Sequence, residues 1–166
     1  MREQLTEKDV ERIEAEIEHR KLVVRKEAIE AVKEARAHGD LSENFEYHAA
    51  KKDKNKNESR IRYLERMLRT AEIISEESAA DEVGLNNTVT LYFEEYDECE
   101  EFRLVTSIRG NSLKNLISIE SPIGKAIYGK KLGDRVLVPV GDGGYYVEIR
   151  EIKNTGDDGS DTIRSY

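Results

Sequence analysis

The feature that most constrains this chain is a long opening segment, residues 6–37, which contains neither proline nor glycine. Alanine, glutamate, lysine and arginine dominate it, and all four are good helix formers. Its apolar residues recur at steps of three and four, apart from a polar gap at Arg20: Val10, Ile13, Ile17, Val24, Ala28, Ala31 and Ala35. This spacing predicts one long helix with a coiled-coil seam. Thr6 with Asp9 forms a weak N-terminal capping pattern, and Gly39 predicts the helix end.

A second helix is predicted over residues 43–74. Its seam repeats the same alternation, through Tyr47, Ala50, Lys54, Asn57, Ile61, Leu64, Leu68 and Ala71. A link of only a few residues forces two long helices to run antiparallel, so we predict a helical hairpin with its turn at residues 40–43. Lys54 and Asn57 occupy core positions towards that turn. We therefore expect the half near the turn to be less stable than the base.

The second half of the chain has a different period. Short runs rich in β-branched and aromatic residues are separated by turn residues such as Gly110-Asn111 and Gly141–Gly144, which predicts strands at 88–93, 102–108, 116–119, 135–140 and 145–152. Ser121 as N-cap, Pro122 at the first position and Gly129 after the end predict one short helix. We predict a hairpin over 1–76, a linker over 77–84, a small antiparallel β domain over 85–153 and a disordered tail over 154–166.

Composition narrows the possible surroundings and partners. No apolar run approaches the roughly 20 residues that span a bilayer, and Cys99 is the only cysteine, so we expect a cytoplasmic protein without membrane contact. The net charge of −8 argues against free, non-specific binding to nucleic acid. Residues 51–69 nevertheless carry eight basic and three acidic side chains, a local excess that permits contact with nucleic acid once another molecule positions the chain.

Two sequence blocks carry a family resemblance. Residues 34–51 read EARAHGDLSENFEYHAAK, and residues 115–134 read NLISIESPIGKAIYGKKLGD. Both resemble the signatures of the GreA/GreB family of bacterial transcript-cleavage factors, in the family's order and spacing. The chain is most similar to GreA, although the lysines of segment 53–57 resemble GreB. The resemblance implies an α+β fold class, in which an N-terminal antiparallel coiled-coil hairpin precedes a small β domain like that of FK506-binding proteins, with one short helix.

The resemblance also implies a function. Such proteins bind bacterial RNA polymerase through its secondary channel and stimulate cleavage of the nascent RNA 3′ end in backtracked complexes. Asp40 and Glu43 match the acids that help hold a catalytic magnesium ion, which is shared with the polymerase active site. Magnesium takes oxygen ligands, and proteins commonly supply one or two carboxylates for it. Because two carboxylates alone form an incomplete metal site, we expect the isolated protein to be no autonomous nuclease and to bind no cofactor. We also expect it to be a monomer when free.

Two further groups of residues are candidates for contacts. Arg36, Lys51, Lys52 and Lys56 lie near the predicted turn and are candidates for binding the phosphates of RNA. The alternative is that they form a solvated helix face, which is what most charged runs do. Ser121, Pro122 and Gly124 match the second signature and are candidates for docking on polymerase. The alternative there is an ordinary capped helix.

Other interpretations stay open from the residues alone. The Asp40–Glu43 pair at a helix start is also a variant of the capping box. His38, His48 and Glu46 are interpreted as structural residues of the turn or seam. An inhibitory paralogue with the same fold would enter the same channel and block it. A peptidyl-prolyl isomerase is suggested only by the fold of the second half, and a free metallonuclease fails on the number of ligands.

Overall fold

The structure is a computed structural model that describes residues 2–40, 43–109, 115–154 and 163. It divides into two compact units that meet in sequence at Glu72 and Ile73. The finer limits predicted above, a linker over 77–84 and a second domain from residue 85, stay predictions. The predicted disordered tail, 154–166, lies outside the described residues except for Asn154 and Ile163.

The first predicted helix forms and begins where the sequence indicates. It comprises α1 (Glu7–His19), a π-helical turn (Arg20–Val24) and α2 (Arg25–Ala37). Thr6 is the N-cap of α1. The Asp9 backbone N–H donates to Thr6 Oγ1 at 3.2 Å, and the Thr6 N–H donates to Asp9 Oδ2 at 3.0 Å. Both bonds of a capping box are therefore present, so the weak sequence pattern was a correct signal.

The π turn is a departure from the uninterrupted helix that was predicted. The seam positions Arg20, Val24 and Ala28 follow one another at two successive steps of four. Two such steps carry the apolar face away from a seam that repeats every three and a half residues. A π turn holds one more residue than an α turn and so takes up the excess. The Arg25 N–H accordingly donates to the Arg20 carbonyl, five residues back.

The second helix is shorter than predicted. α3 spans Phe45–Thr70, so the predicted extension to residue 74 was wrong. The chain instead forms β2 (Glu72–Ile73), which pairs with β1 (Gln4–Leu5) in a two-stranded sheet. The Glu72 N–H donates to the Glu3 carbonyl at 2.9 Å. Residues 72 and 73 therefore pair with the strand at the start of the chain instead of continuing the helix.

The two long helices pack unevenly along their seam. At the base, Ile13, Ile61, Leu64 and Met67 are buried, whereas the predicted seam residue Leu68 is only half-buried. Towards the turn the seam has an open groove whose lining includes five alanines: Ala28, Ala31, Ala35, Ala49 and Ala50. A methyl group buries much less apolar area than a leucine or isoleucine side chain. This packing supports the expectation that the half near the turn is the less stable one.

A polar network occupies the middle of the seam. Glu16 accepts hydrogen bonds from Arg20 Nε at 2.7 Å and from Arg60 Nε at 2.9 Å. Arg20 also donates to the Asn57 side chain at 3.0 Å, and Asn57 Nδ2 donates back to the Arg20 carbonyl at 3.3 Å. The network therefore provides partners for Arg20 and Asn57, two of the polar residues that interrupt the predicted seams. It also buries Arg60, one of the eight basic residues of segment 51–69.

We predict that Glu16→Gln destabilises the hairpin by about 2 kcal/mol at neutral pH, the usual worth of hydrogen bonds to charged groups. Burial acts to raise the pKa of Glu16, but its hydrogen bonds and charge interactions with Arg60 and Arg20 outweigh this and lower the pKa below 4.5. A depressed pKa contributes stability above its unfolded value, and that stability disappears as pH falls through the folded value.

The difference between wild type and Glu16→Gln should therefore shrink as pH falls from about 5 towards 3. Urea unfolding followed by helical circular dichroism measures it at each pH. Glu58→Gln is the matched control, because Glu58 pairs with Arg25 at 2.9 Å in a more exposed position and should cost less than about 1 kcal/mol. A pH-independent Glu16→Gln effect would contradict the assignment.

The second unit is built on one five-stranded sheet. Its strands are β3 (Asn87–Phe93), β4 (Glu98–Val105), β5 (Leu116–Ser118), β6 (Arg135–Val140) and β7 (Gly143–Asn154), in the order β5-β4-β3-β7-β6. Three pairings are antiparallel, as predicted, while β4 and β5 run parallel. With α4 (Pro122–Ile127), the described residues confirm the predicted fold class of a helical hairpin followed by a small β domain with one short helix.

The bounds predicted from the sequence were wrong for two strands of this sheet. β4 begins at Glu98 instead of residue 102, and Ser107–Arg109 forms a 3₁₀ turn beyond its end. The first half of β4 is exposed and acidic, so it shows none of the hydrophobic alternation that marks a strand. β7 begins at Gly143, inside the predicted turn. The predicted turn at 110–111 lies outside the described residues.

Candidate functional site

The candidate site is the turn between α2 and α3. α2 ends at Ala37, and His38 is its C-cap. Gly39 follows with φ of 142°, a conformation that residues with a Cβ rarely adopt. The Glu43 N–H then donates to the Asp40 carbonyl at 3.4 Å. An i to i+3 contact of this kind closes a four-residue turn and brings its first and last residues close together. Residues 41 and 42 lie outside the described residues.

Asn44 joins the two helices at this turn. Its Oδ1 accepts from the Tyr47 N–H at 3.0 Å, which makes Asn44 the N-cap of α3. Its Nδ2 donates to the Ala35 carbonyl, in the last turn of α2, at 2.6 Å. The cap of α3 is therefore Asn44, not Asp40 as in the capping-box alternative. The role of Asn44 was missed in sequence, where only its residue type, a favoured N-cap, offered a signal.

A second contact crosses the turn nearby. His38 Nδ1 lies 3.0 Å from Glu46 Oε2, and both side chains are exposed. His48 is also exposed and meets the Tyr47 ring edge-on at 5.4 Å. These contacts support the interpretation of His38, His48 and Glu46 as structural residues of the turn.

Asp40 and Glu43 are both exposed at this turn. Carboxylate oxygens are ligands that magnesium prefers, so the pair fits part of a magnesium site. A complete site needs more donors. Among residues 2–40, 43–109 and 115–154, no three His, Cys, Asp or Glu side chains lie close enough together to hold a metal ion. Two carboxylates by themselves supply only part of the coordination that a magnesium ion takes.

The four candidate RNA-binding residues are all exposed, and they lie on two sides of the hairpin. Side chains four residues apart share one side of a helix, whereas neighbours are roughly 100° apart. Lys52 and Lys56 therefore form one row. Lys51 shares the other row with Tyr47, and the Arg36 guanidinium lies 5.8 Å from the centroid of that tyrosine ring. The candidates thus form two rows rather than one patch.

The comparisons with known proteins decide the family. The profile of the N-terminal domain of transcription elongation factors matches residues 3–73, and the C-terminal GreA/GreB profile matches residues 77–154. Transcription elongation factor GreA of Thermoanaerobacter pseudethanolicus is 45% identical over 150 residues, which cover 90% of this chain and 96% of that protein. This chain belongs to the GreA/GreB family of transcription elongation factors.

A second GreA relative supports this assignment. GreA of Staphylococcus saprophyticus is 44% identical and covers 90% of this chain and 95% of its own length. Among solved structures, GreA factor homolog 1 of Thermus thermophilus is 27% identical, with a TM-score of 0.43 over 92% of this chain and 99% of that chain. Within the described residues, no helix has the length and apolar character needed to cross a membrane.

The second GreA/GreB signature surrounds α4, where the predicted docking residues differ in exposure. Ser121 Oγ accepts from the Gly124 N–H at 3.0 Å and donates to the Ser118 carbonyl at 2.6 Å. Pro122 is exposed, whereas Gly124 is buried. A Cβ on Gly124 would overlap the Ser118 carbonyl. Of the three residues, Pro122 is thus the one whose side chain offers most surface to a partner, and Gly124 allows α4 to approach β5.

Proposed function

We propose that this protein binds RNA polymerase through the secondary channel and stimulates the polymerase's own cleavage of backtracked RNA. The observation that carries the proposal is the closed turn at the end of the hairpin, which presents Asp40 and Glu43 to solvent in a member of the GreA/GreB family. A factor that reaches an active centre through a channel needs its functional groups at the end of a long, thin element.

The chemistry of the turn supports assistance rather than independent catalysis. A magnesium ion, when bound, would activate water and stabilise charge on the scissile phosphate. The carboxylates of Asp40 and Glu43 would supply oxygen ligands and a negative field that favours the ion. Because two carboxylates make an incomplete site, the polymerase and the RNA would contribute the remaining ligands.

The test of this function is a stalled, backtracked elongation complex with 3′-labelled RNA and cognate polymerase, incubated in magnesium with and without the protein. We expect faster release of short 3′ fragments, and no release when polymerase is omitted. Cleavage of RNA by the protein alone would make it a nuclease. Unchanged cleavage with slowed nucleotide addition would instead make it an inhibitor that occupies the channel.

We further propose that the exposed cations beside the turn contact the extruded RNA. We predict that changing Lys51, Lys52 and Lys56 together to Glu lowers stimulated cleavage by about 10-fold at low salt. Each lysine that contacts a phosphate adds a salt-dependent contribution to binding, so the difference from wild type should narrow as salt rises. The measurement is the cleavage rate at subsaturating protein across a salt series.

The matched control changes Arg62, Arg66 and Arg69 to Glu. These residues are exposed on the same helix, and the charge change is equal, but they lie nearer the base. Comparing Lys51→Glu alone with the Lys52→Glu, Lys56→Glu pair then separates the two rows. Equal effects of the two triple variants on the cleavage rate, or a loss of rate that does not depend on salt, would contradict the proposed contact with RNA.

A further inference from the structure

We infer that Asn44 is a positioning residue, which sets the separation and orientation of Asp40 and Glu43 by tying the end of α2 to the start of α3. The inference rests on the proposed function, because it concerns the same turn. Asn44 itself adjoins Glu43 in sequence, and its amide makes both of the contacts described above. Asn44 is uncharged, and the proposal does not make it a ligand of the metal ion.

The two hydrogen bonds of Asn44 have different jobs. The bond from the Tyr47 N–H, at 3.0 Å, is a capping bond that serves α3 alone. The bond to the Ala35 carbonyl, at 2.6 Å, crosses between helices. That carbonyl also accepts from the His38 N–H at 3.2 Å. One oxygen therefore accepts hydrogen bonds from the C-cap of α2 and from the N-cap of α3. The cross-helix bond therefore fixes the distance that the turn must span.

Few other side chains can replace this amide. A cap needs an acceptor, and the bond to Ala35 needs a donor on the same short side chain, and asparagine carries both. Aspartate keeps the acceptor but lacks the donor. Serine keeps a capping oxygen, but one hydroxyl cannot replace both functions of the amide. The groove beside the turn is lined in part by alanines, whose methyl groups bury little apolar area. The cross-helix bond therefore restrains the turn together with the contact between His38 and Glu46, and it is the less exposed of the two.

Misplacing the two carboxylates should lower the rate of stimulated cleavage more than it lowers the affinity for polymerase. A displacement of about 1 Å at a reacting centre can lower a rate by as much as 100-fold. We expect Asn44→Ser to lower the maximal stimulated cleavage rate by about 10-fold. The protein concentration that half-saturates the polymerase should change by less than about 2-fold, since the candidate docking residues Ser121 and Pro122 belong to the other unit of the chain. The half-saturating magnesium concentration should rise, because a less well-placed carboxylate pair attracts the ion less strongly.

The experiment measures these three quantities for wild type, Asn44→Ser and Asn44→Asp, with Asn55→Ser as the matched control. Asn55 is exposed on the same helix, so its change tests the effect of the substitution itself. In the free proteins, amide hydrogen exchange provides a readout that is independent of activity. Exchange at His38 and Glu43 should accelerate in Asn44→Ser, while Tyr47 should stay protected because the capping oxygen remains.

The outcomes separate the two proposals. If wild type stimulates cleavage and Asn44→Ser matches it in maximal rate and magnesium dependence, the positioning role is overturned and the proposed function stands. It is also overturned if the variant loses polymerase affinity and rate together, or if Tyr47 loses protection, since either result indicates a general loss of structure. If wild type stimulates no cleavage, the proposed function fails, and the role of Asn44 fails with it.

Discussion

Replacing Asp40 with Asn and Glu43 with Gln together is expected to lower stimulated cleavage by at least about 100-fold, the usual scale for removing preorganised charge at a reacting centre. Both substitutions keep the shape of the side chain and remove its charge. Both side chains are exposed, so folding should be unaffected. The measurement is the maximal rate of 3′-fragment release at saturating protein, with the affinity for polymerase determined separately by competition.

Each single substitution should have most of the effect of the pair, because residues that serve one ion act as a unit. Glu34→Gln is the control. Glu34 is an exposed acid on α2 beside the same half of the seam, but it lies outside the turn. Cleavage that survives the double change would refute the role assigned to the turn. A loss of polymerase affinity that matches the loss of rate would make the two acids binding residues only.

Gly124→Ala is expected to destabilise the β domain by about 3 kcal/mol or more, the upper range for forcing extra atoms into a packed site. Gly124 is buried, and a Cβ there would overlap the Ser118 carbonyl and approach the Ser121 side chain. Both neighbours are held by the hydrogen bond from Ser121 Oγ to Ser118. Backbone on β5 would have to move. Urea unfolding followed by tyrosine fluorescence reports mainly on this unit, which contains five of the eight tyrosines: Tyr92, Tyr96, Tyr128, Tyr145 and Tyr146.

Gly143→Ala is the matched control for this change. Gly143 lies at the start of β7, has no positive φ, and has open space where a Cβ would be placed. Its substitution should change the free energy of unfolding by less than about 0.5 kcal/mol. If Gly124→Ala leaves stability intact but weakens polymerase binding, Gly124 belongs to the docking surface and the packing argument is wrong. If both stability and binding fall, Pro122 becomes the cleaner position at which to test docking.

Local patterns in the sequence were sufficient to place the two long helices, the short helix α4 and the strands β3, β5 and β6. The capping box of Thr6 and Asp9 was visible because it joins residues three positions apart. The bounds of β6 were correct because three of its six residues are valine and glycines lie close to both of its ends. β4 failed because its exposed half carries acids instead of an alternating apolar face. The helix predicted to residue 74 failed because pairing between residues 3 and 72 depends on a contact that no local window contains.

The candidate site shows the same division. The turn at residues 40–43 was located from the sequence, because a short link between two long helices must form a turn wherever the periodic pattern breaks. The resemblance to the GreA/GreB signature then identified Asp40 and Glu43 as the candidate residues within that turn. The tertiary structure alone decided what holds that turn and the seam behind it: the bond from Asn44 to Ala35, and the network that joins Glu16 and Arg60. These contacts depend on the angle and separation of two helices. Helical periodicity determines which face of each helix packs, but the distances between side chains appear only after both helices are in place.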